Sequence, residues 1–153
     1  SINIFSMKIL MVCLGNICRS PLAEGILQAK VGDNHLVDSA GTGDWHVGEQ
    51  PDRRSVSVAK KYGVDISDQR AMHFNPVFFD EFDLIFAMDE QNLIDLQKLA
   101  RNEEEQSKIK LILEGNGQTK NVPDPYYDGE DAFEHVYQLL DEATDGIIKK
   151  YNL

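Results

Sequence analysis

Cys13 and Arg19 bracket one short segment, Cys13-Leu-Gly-Asn-Ile-Cys-Arg-Ser-Pro21, which puts a nucleophile and a permanent cation within reach of the same loop. A cysteine thiolate attacks electrophilic centres, and a guanidinium offers a planar fork that matches two oxygens of a tetrahedral oxyanion. Successive main-chain amides turned inward make a nest for the same anion. A thiolate and a bound phosphate in one cradle are a nucleophile and its electrophile. Asp124, set between Pro123 and Pro125, is a second candidate. Each proline fixes its own φ and restricts the residue before it, so a carboxyl group there is placed with little loss of freedom. Both residues also have plainer readings, a buried strand-end cysteine and a turn aspartate.

Elements that could position these groups are readable nearby. Lys8-Ile-Leu-Met-Val-Cys13 is an almost unbroken apolar run, as in a strand buried on both faces of a parallel sheet. Ser20-Pro21 then signals a helix start, with Ser20 as the expected cap. His35 to Ala40 reads as a second strand, and a loop over residues 41–52 carries the only tryptophan, Trp45. Arg53 to Tyr62 is expected to be helical and to stop at Gly63. Phe82 to Ala87 is a third strand, and Asp89-Glu90 caps a helix with Leu93, Leu96, Leu99 and Ala100 on one face. Lys110 to Leu113 is a fourth strand, residues 115–122 a turn-rich connection, and Ala132 to Lys150 a final amphipathic helix. The triple Glu103-Glu104-Glu105 is expected to be a solvated helix end. Strands alternating with helices predict an α/β fold: one domain with a four-stranded parallel sheet and helices on both faces, Rossmann-like and doubly wound. Ligands of such sheets bind beyond the carboxyl ends of the strands, where Cys13 falls.

Composition narrows the function. The 153 residues suit one domain, with 42% apolar and 27% charged residues. A net charge of −11 argues against a nucleic-acid partner or an anionic membrane surface. No apolar run is long enough to span a bilayer. The first six residues lack a basic n-region, so the domain is expected over 7–153, with 1–6 an N-terminal extension or expression remnant. The two cysteines lie in one segment and cannot staple distant parts of a secreted fold, which favours a reducing, cytoplasmic setting. His35, His46, His73 and His135 lack metal-ligand spacing with the cysteines, so no metal and no cofactor are expected.

The C-x5-R-S-P segment resembles the phosphate loop of the low-molecular-weight protein tyrosine phosphatases, and the likeness extends over the chain from Met7. It is carried further by Ser39-Ala40-Gly41-Thr42, Asp44-Trp45 with Val47-Gly48, Pro51-Asp52-Arg53, Phe82-Asp83, Met88-Asp89 and Asp124-Pro125-Tyr126-Tyr127. The resemblance implies hydrolysis of aryl phosphate monoesters through a phosphocysteine, by a phosphoric monoester hydrolase that could also act as an acid phosphatase. Cys13 would be the nucleophile. Arg19 and the loop Leu14, Gly15, Asn16, Ile17, Cys18 and Ser20 would bind phosphate, and Asp124 would be the general acid and then base. Asn16 and Ser39 would support the loop, Ser20 would hydrogen-bond the thiolate, and Trp45, Tyr126 and Tyr127 would wall an aromatic slot. Cys18 matches a family position that can form a reversible protective disulfide with the nucleophile; its plain reading is a small packed residue. Substrate would be a phosphotyrosine protein or an aryl phosphate, with inorganic phosphate as product and the chain a monomer or weak homodimer. One position departs: many relatives carry a histidine supporting the loop network where this chain reads Ile66-Ser67-Asp68.

Three other activities lie close by. Arsenate reductases of this architecture relay electrons through two further cysteines, and none follows Cys18. Arginine-directed phosphatases carry threonine where this chain has Ile17. A phosphate-sensing module without turnover would lack the nucleophile or the acid.

Overall fold

The computed structural model describes residues 5–114 and 120–153. Its centre is β1 (Met7–Cys13), whose residues 9–12 are fully buried as the apolar run predicts. β1 pairs in parallel with β2 (His35–Gly41) on one side and β3 (Leu84–Ala87) on the other, and β4 (Ile109–Leu111) follows β3, giving the order β2-β1-β3-β4. Side chains alternate across β1 with period two. Ile9, Met11 and Cys13 enter one core with Leu22, Ile26, Phe133, Val136 and Leu140, while Leu10 and Val12 enter another with Phe74, Phe79, Phe82, Ile85 and Leu96. Both faces are therefore covered, as in a doubly wound sheet.

The helices are α1 (Arg19–Val31), α2 (Arg53–Lys61), α3 (Phe78–Glu81), α4 (Glu90–Leu99), α5 (Glu103–Lys108) and α6 (Glu130–Tyr151). α2 and α4 start as their sequences predict: Asp52 and Asp89 accept N–H bonds from Arg54 and Asn92 at 2.8 Å. Gly63 takes a φ of +80° just beyond α2.

Several local expectations are corrected. β3 begins at Leu84 because Asp83 closes on β1, donating its N–H to Lys8 O at 2.7 Å and accepting the Lys8 N–H at 2.8 Å. β4 covers Ile109–Leu111 because α5 precedes it directly and Ile112–Leu113 turn away. Glu105 is no solvated helix end. It is buried, and its carboxylate grips Arg101 at 2.7 Å. Leu99 is exposed at the end of α4, whereas Leu93, Leu96 and Ala100 pack inward. Ser20 does not cap α1: Cys18 stands at the cap position, and Pro21 is the third helical residue, where a missing N–H costs no intrahelical bond. Residues 115–119 of the expected turn and residues 1–4 of the extension lie outside the described residues.

Candidate active site

The β1–α1 loop lies beyond the carboxyl end of the central strand. Thr42 and Gly43 donate N–H bonds to the carbonyls of Cys13 and Leu14 at 2.9 Å, and Asp52 donates to Ile17 O at 2.7 Å. Gly41 permits this closeness, since a Cβ there would meet Leu14 O at 2.7 Å. Among the described residues, the N–H groups of Gly15, Ile17 and Cys18 donate to no protein acceptor, which leaves them available to an anion.

The loop is held from below by Asn16, buried and in the left-handed region at φ +57°. Its Nδ2 donates to Ser20 Oγ at 2.8 Å and to Ser39 Oγ at 2.9 Å, while its Oδ1 accepts the Met72 N–H at 2.9 Å. Since Ser20 accepts from Asn16, its own proton is free to point at Cys13 Sγ, 3.0 Å away. The Asn16 N–H reaches the same sulfur at 3.3 Å. Two donors thus converge on Sγ. Ser20 gives up helix capping to do this.

Arg19 is buried, and its Nη1 donates to Asp89 Oδ2 at 2.6 Å and to Val122 O at 2.9 Å. Burial opposes its charge, but Cys13, the hydrogen bond and charge of Asp89, and the charge of Asp124 outweigh it and raise its pKa further. Asp89 does two jobs, since its Oδ1 caps α4. Asp124 is exposed at the opposite lip, 3.8 Å from Arg19 Nη2, and its Oδ1 accepts the Tyr126 N–H at 3.2 Å. Between them opens a cleft of about 340 Å³ lined by the loop and by Trp45, His46, Tyr126 and Tyr127. Trp45 folds over Gly43, where any Cβ would strike its ring.

Cys18 lines the cleft but differs from Cys13. Burial, then the charges of Asp52, Cys13 and Asp124, push its pKa up to about 12 against a small opposing effect of Arg54. Both cysteines are free thiols.

This geometry has known counterparts. The family model for the low molecular weight phosphotyrosine protein phosphatase matches residues 8–152. The chain belongs to that family. It is 41% identical to the low molecular weight phosphotyrosine protein phosphatase of Schizosaccharomyces pombe, over 94% of this chain and 96% of the relative. A crystal structure of protein tyrosine phosphatase from Entamoeba histolytica superposes with a TM-score of 0.89 at 38% identity, covering 96% of this chain and 97% of that one. Vibrio vulnificus Wzb, solved in complex with benzylphosphonate, gives 0.87 at 35% identity, covering 94% and 98%. The chain is thus a low molecular weight protein tyrosine phosphatase, a phosphoric monoester hydrolase.

Of the residues singled out in this phosphatase from its sequence, Cys13, Leu14, Gly15, Ile17, Cys18, Arg19, Trp45, Asp124, Tyr126 and Tyr127 line the cleft, while Asn16, Ser20 and Ser39 lie buried beneath the loop. Three further contributors were missed. His46 stands in the cleft wall, its Nδ1 2.8 Å from Glu49 and its ring 6.5 Å from that of Tyr126. Asp89 orients Arg19. Arg54 ties the loop of Asp124 to α2 by donating to the carbonyls of Tyr126 and Asp128 at 2.9 Å. Met88-Asp89 at the end of β3, beside β1, was the available signal for Asp89. Asp68 is exposed on the surface, and the loop-supporting Asn16 and Ser39 bond each other, Ser20, Met72 and Glu24 instead.

Proposed function

We propose that Cys13 is the nucleophile, Arg19 and the loop amides the phosphate holders, and Asp124 the general acid and base of this phosphatase. The carrying observation is the convergence of donors on Cys13 Sγ directly below a cleft that has Arg19 at its floor and Asp124 at its lip. Sγ attacks phosphorus, and the bond from phosphorus to the aryl oxygen breaks as the Asp124 carboxyl passes its proton to that oxygen. Arg19 and the free amides meet the equatorial oxygens as charge spreads over them. Water then attacks the phosphocysteine and gives a proton to Asp124, and the P–S bond breaks with Ser20 donating to the departing sulfur. Phosphate leaves and the thiolate is restored.

An aromatic substrate is supported by the walls. Trp45, Tyr126 and Tyr127 are exposed rings around a cleft whose size suits one ring above one phosphate. The benzylphosphonate held by the Vibrio relative is a ligand of that kind. We therefore assign phosphotyrosine proteins as substrates, and the exposed Trp45 and Tyr127 support a monomer that could pair weakly with a second copy through this face. The placement of both cysteines in one short segment, where they cannot staple distant parts of the fold, supports a reducing, cytoplasmic setting. Among the described residues no helix is long and apolar enough to cross a membrane. The deciding experiment is turnover of phosphotyrosine, phosphoserine and phosphoarginine peptides with Cys13→Ser as blank. Phosphotyrosine should be cleaved far faster than the others, and full activity in Cys13→Ser would refute the assignment.

Cys18 extends the reading to redox control. Peroxide would convert Cys13 to a sulfenic acid, which the neighbouring Cys18 thiol attacks to form a disulfide with loss of water. After mild peroxide, thiol should restore the parent more fully than Cys18→Ser; equal recovery would discard the guard role.

A further inference from the structure

We propose that Glu24 and Asp38 form a proton-sharing carboxyl pair that positions the phosphate-binding loop through Ser39 and Asn16. Glu24 lies on α1 and Asp38 on β2, and both carboxyl groups close on Ser39: Glu24 Oε1 accepts its hydroxyl proton at 2.7 Å and Asp38 Oδ1 its N–H at 2.9 Å, which gathers the two acids at one residue beneath the loop. Two carboxylates cannot hydrogen-bond unless one carries a proton. Glu24 is the group that carries it: burial first, then the charge of Asp38 and the bond to it, raise its pKa to about 8 against the opposing Ser39 bond. Asp38 in turn is anchored by accepting the Ser39 N–H at 2.9 Å. The remaining charged groups facing the pair are Glu81, which acts on Asp38, and Asp65 and Asp68 across the surface cleft that Glu24 lines. Glu81, being acidic, disfavours a further negative charge on Asp38.

The pair reaches the reacting sulfur through one polarised chain. Ser39 donates its only hydroxyl proton to Glu24 Oε1 at 2.7 Å, so its lone pairs face Asn16 Nδ2 at 2.9 Å. Asn16 is thereby fixed with its amide toward Ser20, and Ser20 with its proton toward Cys13. Glu24 and Asp38 touch no substrate; they act by fixing donor directions. Loss of the shared proton places a second negative charge beneath the loop and removes the Glu24–Asp38 bond. Because the titrating group is an acid, the pair is intact below about pH 8 and breaks as pH rises through that value.

The inference rests on the loop's being the oxyanion site, and sulfate, a dianion throughout the working range, tests the two separately. Sulfate affinity would be measured from pH 6.5 to 9.5, by calorimetry or competition with an aryl phosphate, for the parent, Glu24→Gln, Glu24→Ala and Asp38→Asn. Glutamine mimics the protonated acid, accepting from Ser39 and donating to Asp38 without titrating. The parent should bind sulfate about three- to tenfold more weakly at pH 9.5 than at pH 7, since each unit by which the bound anion raises the carboxyl pKa is tenfold in affinity. In Glu24→Gln that fall should be markedly smaller, and in Asp38→Asn it should move to lower pH. At pH 6.5, Glu24→Ala should lose about tenfold in kcat/KM and Glu24→Gln should recover most of it. Identical pH profiles in parent and Glu24→Gln would overturn the proton sharing while leaving the oxyanion site standing. A Glu24→Ala variant as active as the parent would overturn the positioning role. Failure of the parent to bind sulfate at any pH would overturn the oxyanion site and the proposal with it.

Discussion

The floor and the lip of the cleft are built on different physics. Below, Asn16, Ser20, Ser39 and Arg19 are buried, and each polar atom named there has a partner on a strand, a helix or the loop itself. Above, Asp124 and Tyr127 are exposed, and the lip is held through main-chain carbonyls by Arg54 and through one 3.2 Å bond from Tyr126 to Asp124. Buried, fully paired networks rigidify, because the alternative is an unsatisfied polar group in a low dielectric. Exposed contacts bring less constraint and allow adjustment. The phosphate end is therefore preorganised and common to any phosphate monoester, while the proposed roles of the leaving-group end, selection and proton delivery, fall to its adjustable part.

The largest effect that would test this division is at Asp124. Asp124→Ala should lower kcat with aryl phosphates by about 10²–10⁴-fold, the usual contribution of a positioned proton donor, yet leave sulfate or phosphate affinity nearly unchanged. A comparable loss of anion affinity would mean that the lip, too, is a binding element. Asn16→Ala attacks the floor. It strands Ser20, Ser39 and the Met72 N–H and puts alanine at a φ of +57°. Both stability and anion affinity should fall, the former by about 2 kcal/mol or more as judged by denaturant unfolding. Loss of turnover with unaltered stability and anion binding would show that the network is not what shapes the cradle.

A third test separates the two cysteines, which share one loop but not one environment. Iodoacetamide at pH 8 should label the parent at Cys13 and label Cys13→Ser far more slowly, because burial and the charges of Asp52 and Asp124 still hold the Cys18 thiol protonated once the Cys13 charge is gone. Rapid labelling of Cys13→Ser would contradict the burial and carboxylate charges around Cys18.

The division between floor and lip also explains what was legible in the sequence. The β1–loop–α1 unit could be read because its determinants are local: an apolar run, a turn, then a helix start. The same locality misled at Ser20, whose capping propensity is genuine but loses to a sulfur 3.0 Å away that only the folded strand supplies. Asp89 and Arg54 act across 70 and 74 residues, on Arg19 and on Asp128 respectively, so no spacing rule could pair them. Glu105 was misjudged for the same reason in miniature: a triple-glutamate run looks solvated until Arg101 folds back on it.

The smallest expected effect belongs to Arg54, and it asks how much order the lip needs. Its guanidinium donates to Asp52 through Nε at 3.0 Å and Nη2 at 2.9 Å, and lies 4.4 Å above the Phe133 ring and 5.8 Å from that of Tyr126. From there it holds the carbonyls of Tyr126 and Asp128 and so limits where Asp124 can swing. Arg54→Ala frees the lip without touching the floor. Anion affinity should be unchanged, and kcat should fall about tenfold, because the carboxyl still exists but spends less time in line with the leaving oxygen. Lysine should restore little, since a single ammonium cannot bind Asp52 side-on and two carbonyls at once. The split between kcat and anion affinity is the diagnostic: if affinity falls alongside kcat, the lip and the floor are mechanically one unit, and the comparison above fails at its weakest joint.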